Sequence, residues 1–206
     1  LNVLKTEGFD VTVATPTGGT PLVDESSLDP DELTDEDLDA EELLDMHQND
    51  EDLNSPITIQ QAADEDWDAV IYPGGHGAVF DINTDAHARE ILRETLEGGS
   101  YALIICHAVG ILGFARDRNG GMLVADRTVT GFPNDWENEI VDGNECLPNG
   151  VKLPYRVQNE VQAAGGHWNA QLDQEESVLV DGRLITARGP ESSQKAIETL
   201  RKELSG

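Results

Sequence analysis

The sequence predicts an α/β domain in which a mostly parallel sheet is covered by helices on both faces. Two observations carry this. At 206 residues the chain is long enough for one compact core that buries around two-thirds of the unfolded surface. After Asn54, short apolar runs alternate with stretches of helical period, the pattern of βαβ units. One domain over 1–206 is expected.

In order along the chain, "LNVLKTEG" reads as the end of a helix with Gly8 at its C′ position, followed by a strand from Phe9 to Ala14. The strand that would precede this helix is expected before Leu1. From Asp24 to Asp52 the chain carries 15 acidic residues among 29 and no Lys or Arg, which marks an acidic insertion. Inside it, Asp29-Pro30 resembles an N-cap with Pro at N1, and Leu33, Leu38, Leu43, Leu44 and Met46 form a loose stripe, so a short solvated helix is expected. The run "DEDLDAEELLDM" has carboxylates at alternating places but lacks the Gly and the final Glu of a calcium loop.

Strands are then predicted at Ala69–Tyr72, Tyr101–Ile105 and Arg127–Gly131, with a hairpin of Val178–Asp181 and Leu184–Thr186 across "VDGR". Helices are predicted at Ala86–Glu97, after Cys106, at Pro154–Ala164 and at Ser193–Leu204.

Charge excludes whole classes of partner. Forty-one Asp and Glu against 13 Lys and Arg leave a formal net charge of −28, and only four of the bases are Lys. Such a surface repels polyanions, so no nucleic acid partner is expected. Hydrated carboxylates with few lysines suit a salt-loaded cytoplasm, and a halophilic source is the expected reason for them. The longest apolar runs, such as Ala102–Ile105, are far too short to span a bilayer, and no basic start precedes an apolar stretch. A soluble cytoplasmic protein without membrane contact is expected. Cys106 and Cys146 alone make no disulfide framework and are read as reduced.

Chemistry concentrates at two strand ends. "YALIICHAVGIL" places Cys106 at the carboxyl end of a buried strand, directly before a helix. A lone Cys is commonly core filler, but a helix N-terminus at that edge favours a thiolate and predicts a lowered thiol pKa. His107 beside it is a poor core filler and a good proton acceptor. "VIYPGGHG" ends a second strand in Gly74, Gly75 and His76. Paired glycines there let the backbone approach a ligand and turn N–H groups toward a developing oxyanion. "TVTGFPNDWENEI" supplies Asn134, Asp135, Glu137 and Glu139, from which a carboxylate would orient His107. His76 and His167 are candidate metal ligands, but His47, His87 and His167 lack partners at ligand spacing, and no metal is expected.

Taken in order, "YPGGHG", "ICHAVGIL", "VTGFPNDWE" and "LVDGRLITARGPESS" resemble the PfpI and class I glutamine amidotransferase-like superfamily, and within it the glyoxalase III or heat-shock chaperone branch. The resemblance implies a flavodoxin-like fold, Cys106 as nucleophile, His107 as its neighbour and Glu137 as third member, with Asp135 as the alternative acid. It places Gly74, Gly75 and His76 on the substrate and oxyanion side. The activity it implies is a cofactor-free conversion of methylglyoxal or a similar 2-oxoaldehyde to a 2-hydroxy acid, with deglycase action as an extension. A PfpI-like cysteine peptidase or amidase, and a non-enzymatic stress chaperone or redox sensor, are the alternatives. A small aldehyde substrate and a homodimer are the partners implied.

The charge also predicts salt-dependent stability, because uncompensated carboxylates repel most when the Debye length is long. The melting temperature is expected to rise from ~0.1 M to multimolar KCl. A flat response would favour specific cation binding over the halophilic reading.

Overall fold

The computed structural model describes residues 1–23, 40–169 and 177–206, so the Asp29-Pro30 cap and the Leu33 and Leu38 positions lie outside the described residues. The chain divides into two compact units, Leu1–Glu65 and Asp66–Gly206.

The first unit holds α1 (Asn2–Thr6), β1 (Ala14–Thr15), α2 (Ala40–Asn49), α3 (Glu51–Asn54), β2 (Ile57–Thr58) and α4 (Ile59–Ala62). Gly8 adopts φ +85, as a C′ glycine after α1 should. The expected strand from Phe9 shrinks to the two residues that pair in parallel with β2. The reason lies in the partner: the Thr58 side chain caps α4 through a capping box with Gln61, which ends β2 after two residues. In α2 none of the residues from Leu43 to Asn49 is buried, in keeping with a solvated helix.

The second unit is built on a four-stranded sheet with β3 (Ala69–Tyr72), β4 (Tyr101–Ile105), β7 (Val178–Asp181) and β8 (Leu184–Ala187) in the order β3-β4-β8-β7. β3, β4 and β8 run parallel, and β7 joins β8 antiparallel through the expected hairpin. All five residues of β4 are buried, which a strand reaches only when both of its faces are covered. α5 (Ala86–Gly98) and α8 (Ser193–Leu204) pack against it. The Asp85 side chain caps α5 at Ala88 N–H, and Gly99 in the left-handed region closes it.

A second parallel pair joins β5 (Thr128–Val129) to β6 (His167–Trp168). β6 was not predicted, because two residues beside a double glycine carry no readable alternation. Side chains of the sheet reach β5: Asp181 Oδ2 accepts from Thr128 N–H at 2.8 Å, and Thr186 Oγ1 accepts from Thr130 N–H at 3.0 Å. These bonds hold the chain after β5 on course for α6 (Asn134–Ile140). α7 (Val157–Ala163) is shorter than the predicted Pro154–Ala164 helix.

The helix after Cys106 is a 3-10 helix, Cys106–Gly113, rather than an α-helix. Its residues from Cys106 to Leu112 are all buried, so it has no polar face to turn to water. Asn83 Nδ2 donates to His107 O at 2.9 Å, taking a carbonyl that an α-helix would commit four residues on. Gly113 lies against Glu160 of α7, where a Cβ would stand 2.8 Å from the Glu160 Cβ. No helix among the described residues is long and apolar enough to cross a membrane.

Thr130 and Thr186 are both fully buried, so removing the hydroxyl leaves a buried N–H without its acceptor. Thr186→Val is expected to lower unfolding free energy by about 1–3 kcal/mol in a denaturant titration. An unchanged midpoint would show that this bond does not anchor β5.

Candidate active site

Parallel register brings three strand ends to one edge. Tyr72 pairs with Ile104 and Ile105 with Ala187, so Pro73, Cys106 and Arg188 leave the sheet side by side. Ligands of open α/β sheets bind at this carboxyl edge. The backbone at Cys106 is strained, with φ +59 on a residue that carries a Cβ. Such geometry costs about 1–3 kcal/mol and persists only where the surroundings impose it. Here the surroundings include Gly74, where a Cβ would collide with the Cys106 Cβ and lie 2.9 Å from Ile105 O and 3.2 Å from Cys106 Sγ. Gly75 has φ 102 and ψ 153, open to glycine alone. The backbone N–H groups of Gly75 and His107 donate to the Cys106 sulfur.

A line of hydrogen bonds runs from this sulfur into the fold. Cys106 Sγ is 3.3 Å from His107 Nδ1, and His107 Nε2 is 2.8 Å from Glu137 Oε2. The other oxygen, Oε1, is 2.9 Å from His76 Nε2. Burial by itself would raise the Glu137 pKa, but the hydrogen bonds from His107 and His76 outweigh it and hold the carboxyl down at about 2. An ionised carboxylate only accepts, so His107 carries its proton on Nε2 and leaves Nδ1 free to accept from the thiol. Burial, against the pull of Glu137, lowers the His107 pKa and keeps the ring neutral. Phe132 stacks on His107 with centroids 4.2 Å apart, and Phe132 N–H donates to Cys106 O at 3.4 Å.

The structure brings Cys106, His107, Glu137, Gly74, Gly75 and His76 together. Glu137 reaches His107 while Asp135, two residues earlier on α6, is exposed. His76 stands on Glu137, and its ring lies 4.1 Å from that of His107. The amides on the sulfur are those of Gly75 and His107; what Gly74 contributes is a missing side chain.

One expectation is corrected. Cys106 was expected to have a lowered pKa, but burial pushes its thiol up to about 12, against the Gly75 and His107 amide bonds and with Glu191 and Glu137 adding to the rise. The helix it opens is a 3-10 turn in the protein interior, so desolvation outweighs any terminal dipole. The resting sulfur is a thiol, with His107 Nδ1 within reach of its proton.

Both cysteines are free, and Cys146 is half-buried in its loop. His47 Nε2 bonds to Pro21 O at 2.8 Å, and His167 sits exposed in β6. The donor atoms of His76, His107 and Glu137 lie within 4.8 Å of one another, a set able to hold a metal ion. A cation there would have to displace both Nε2 protons from the carboxylate. Sequence reasoning missed Phe132, Trp136 and Asn83. The first two were legible as aromatics interleaved with the acids of "GFPNDWE", whereas Asn83 carried no signal.

The chain is similar in sequence and in fold to known proteins. The chain is 26% identical over 205 residues to Glyoxalase 3 of Candida albicans, covering 95% of this chain and 82% of that protein. It is 25% identical over 198 residues to the glutathione-independent glyoxalase HSP31 of Saccharomyces cerevisiae, covering 93% and 80%. The crystal structure of glyoxalase III from Candida albicans superposes with a TM-score of 0.75 at 23% identity, over 97% of this chain and 82% of that one, and so shares its fold. The sequence match to the DJ-1/PfpI family spans residues 1–144, which takes in both glycines, the Cys-His pair and Glu137. With well over half of its length inside that match, the chain belongs to the DJ-1/PfpI family.

Proposed function

We propose that the protein is a cofactor-independent glyoxalase that converts methylglyoxal or a similar 2-oxoaldehyde to a 2-hydroxy acid. The observation that carries this reading is the unbroken line from Cys106 Sγ through His107 to Glu137, with two amides aimed at the sulfur. The names of the fungal relatives point to the same reaction.

As the sulfur adds to the aldehyde carbon, His107 Nδ1 takes the thiol proton and the carbonyl electron pair moves onto oxygen, which takes up that proton to give a hemithioacetal. Amides that face the sulfur also face the oxygen forming beside it. His107 then removes the proton on C1, and the freed pair forms an enediol by moving into the C1–C2 bond as the C2 oxygen is protonated. Protonation of C2, with the C1 hydroxyl proton given up to His107, leaves a thioester at C1. Water attacks that carbon, the C–S bond breaks, and the 2-hydroxy acid leaves with the thiol restored. C1 is oxidised and C2 reduced within one molecule, so the reaction needs no outside oxidant or reductant. Glu137 keeps the His107 tautomer correct and stabilises the imidazolium between steps.

A peptidase would have to bring an extended chain to the sulfur. Cys106 is only 6% exposed, which favours a small aldehyde.

Incubation with methylglyoxal is expected to yield lactate, with none from Cys106→Ser; lactate from the Ser variant would overturn the nucleophile. Glu137→Gln should fold and still lower turnover by a factor on the order of 10²–10⁴. If Asp135→Asn loses activity instead, the acid is misassigned.

The pH profile provides a further check. Only neutral His107 accepts the thiol proton, and its pKa lies below the ordinary 6.5. Activity should therefore persist as pH falls past that value and fail only in the more acidic range. An acid limb of kcat/KM centred above 6.5 would contradict the assignment.

A further inference from the structure

The segment after β8, Ala187-Arg188-Gly189-Pro190-Glu191, plays no part in the line from Cys106 to Glu137. Its place follows from register: Ile105 pairs with Ala187, so Arg188 and Gly189 leave the sheet beside Cys106 and His107. Pro190 opens a one-turn 3-10 helix, Pro190–Ser192, closed by Ser192 N–H on Gly189 O at 3.1 Å. This turn folds the Glu191 side chain back on its own backbone. A Cβ at Gly189 would stand 2.5 Å from Glu191 Oε2 and 3.4 Å from Cζ3 of Trp136. A side chain at position 189 would therefore take the place of the carboxylate.

Trp136 belongs to the wall of the site. It packs edge-on against Phe132 with centroids 5.6 Å apart, and Phe132 stacks on His107. Glu191 is exposed, whereas Cys106, His107 and Glu137 are buried, and its carboxylate lies by Gly189 on the same side as Trp136 Cζ3. The neighbouring cation, Arg188, is buried with its guanidinium carbon 5.4 Å from the Trp136 centroid. The charge of Glu191, like that of Glu137, acts to raise the Cys106 thiol pKa.

We propose that Glu191 is a specificity-determining residue whose fixed negative charge at the mouth of the Cys106 site admits uncharged aldehydes and turns away those that carry a carboxylate. This rests on the reading of Cys106 as the reacting group, and it narrows the substrate class to uncharged 2-oxoaldehydes. The diffuse field of the other acids does not do this work in concentrated salt, where the Debye length falls to ~3 Å at 1 M. Glu191 is exposed too, but a charge beside the reacting sulfur acts over a shorter path than those spread over the rest of the surface and is screened less.

Alkylation tests the charge independently of turnover. In a Cys146→Ser background, where only Cys106 can react, rates are measured in multimolar KCl with iodoacetamide, which is neutral, and iodoacetate, which is an anion of similar size. Glu191→Gln is expected to raise the iodoacetate-to-iodoacetamide rate ratio by a factor on the order of three to ten. Glu198→Gln, on the exposed side of α8, removes the same formal charge at a distance and should leave the ratio unchanged. An unmoved ratio in Glu191→Gln, or an equal rise in Glu198→Gln, overturns the proposal. A shifted ratio in a protein that forms no lactate from methylglyoxal would uphold the charge selection and defeat the glyoxalase reading. Lactate formation with an unmoved ratio would defeat the charge selection alone. In the active protein, Glu191→Gln should also raise kcat/KM for 4,5-dioxovalerate, a 2-oxoaldehyde that carries a separate carboxylate, relative to methylglyoxal by a comparable factor.

Discussion

The parallel pairing of β4 with β3 on one side and β8 on the other is the constraint from which the site follows. Five consecutive buried residues in β4 leave no freedom of register, because a slip by one residue would exchange the two faces of a strand packed on both. With register set, Gly74, Cys106 and Arg188 emerge at one edge. The approach of Gly74 then holds the backbone at Cys106 in a conformation that a residue with a Cβ does not choose. The strain is local, and the packed sheet beneath it supplies the stability to hold it.

Within that frame one carboxylate organises the proton chemistry. Glu137 is nearly buried in a protein that already carries a net charge of −28, a setting that by itself disfavours its ionised form. Two histidine donors reverse the balance. His76 and His107 reach it from the ends of two neighbouring strands, so the ion is kept by convergence of three segments rather than by any one of them. The buried thiol complements this arrangement. It rests protonated, with the adjacent His107 at hydrogen-bond distance.

The acidic composition acts on two length scales. Most of the carboxylates among the described residues are exposed, where salt screens them and their effect is on hydration and global repulsion. Glu137 and Glu191 stand at closer range, one hydrogen-bonded to His107 and the other beside Gly189 and Trp136. The same residue type therefore has unrelated consequences, decided by burial and by what lies within a few ångströms.

The strands Ala69–Tyr72 and Tyr101–Ile105 and the helix Ser193–Leu204 were legible to the residue, because each carries an uninterrupted local pattern of its own. The pairing of Gly74 and Gly75 with Cys106 was legible too, since two strand ends separated by one helix must share an edge in a parallel sheet. Composition determined the charge and the lack of apolar spans without reference to any fold. The shortness of β1 and β5 was not legible, for it depends on partners, β2 and β6, that hold two residues each. The 3-10 turn after Cys106 depended on Asn83 reaching a carbonyl 24 residues away. The thiol pKa was read with the wrong sign, because a sequence shows that a helix begins at Cys106 but not how little water surrounds it. That Glu137 rather than Asp135 meets His107 was likewise a tertiary decision. Both acids lie on one short helix, and only its docking selects the residue that turns inward, since hydrogen bonding and desolvation depend on distances that no local pattern encodes.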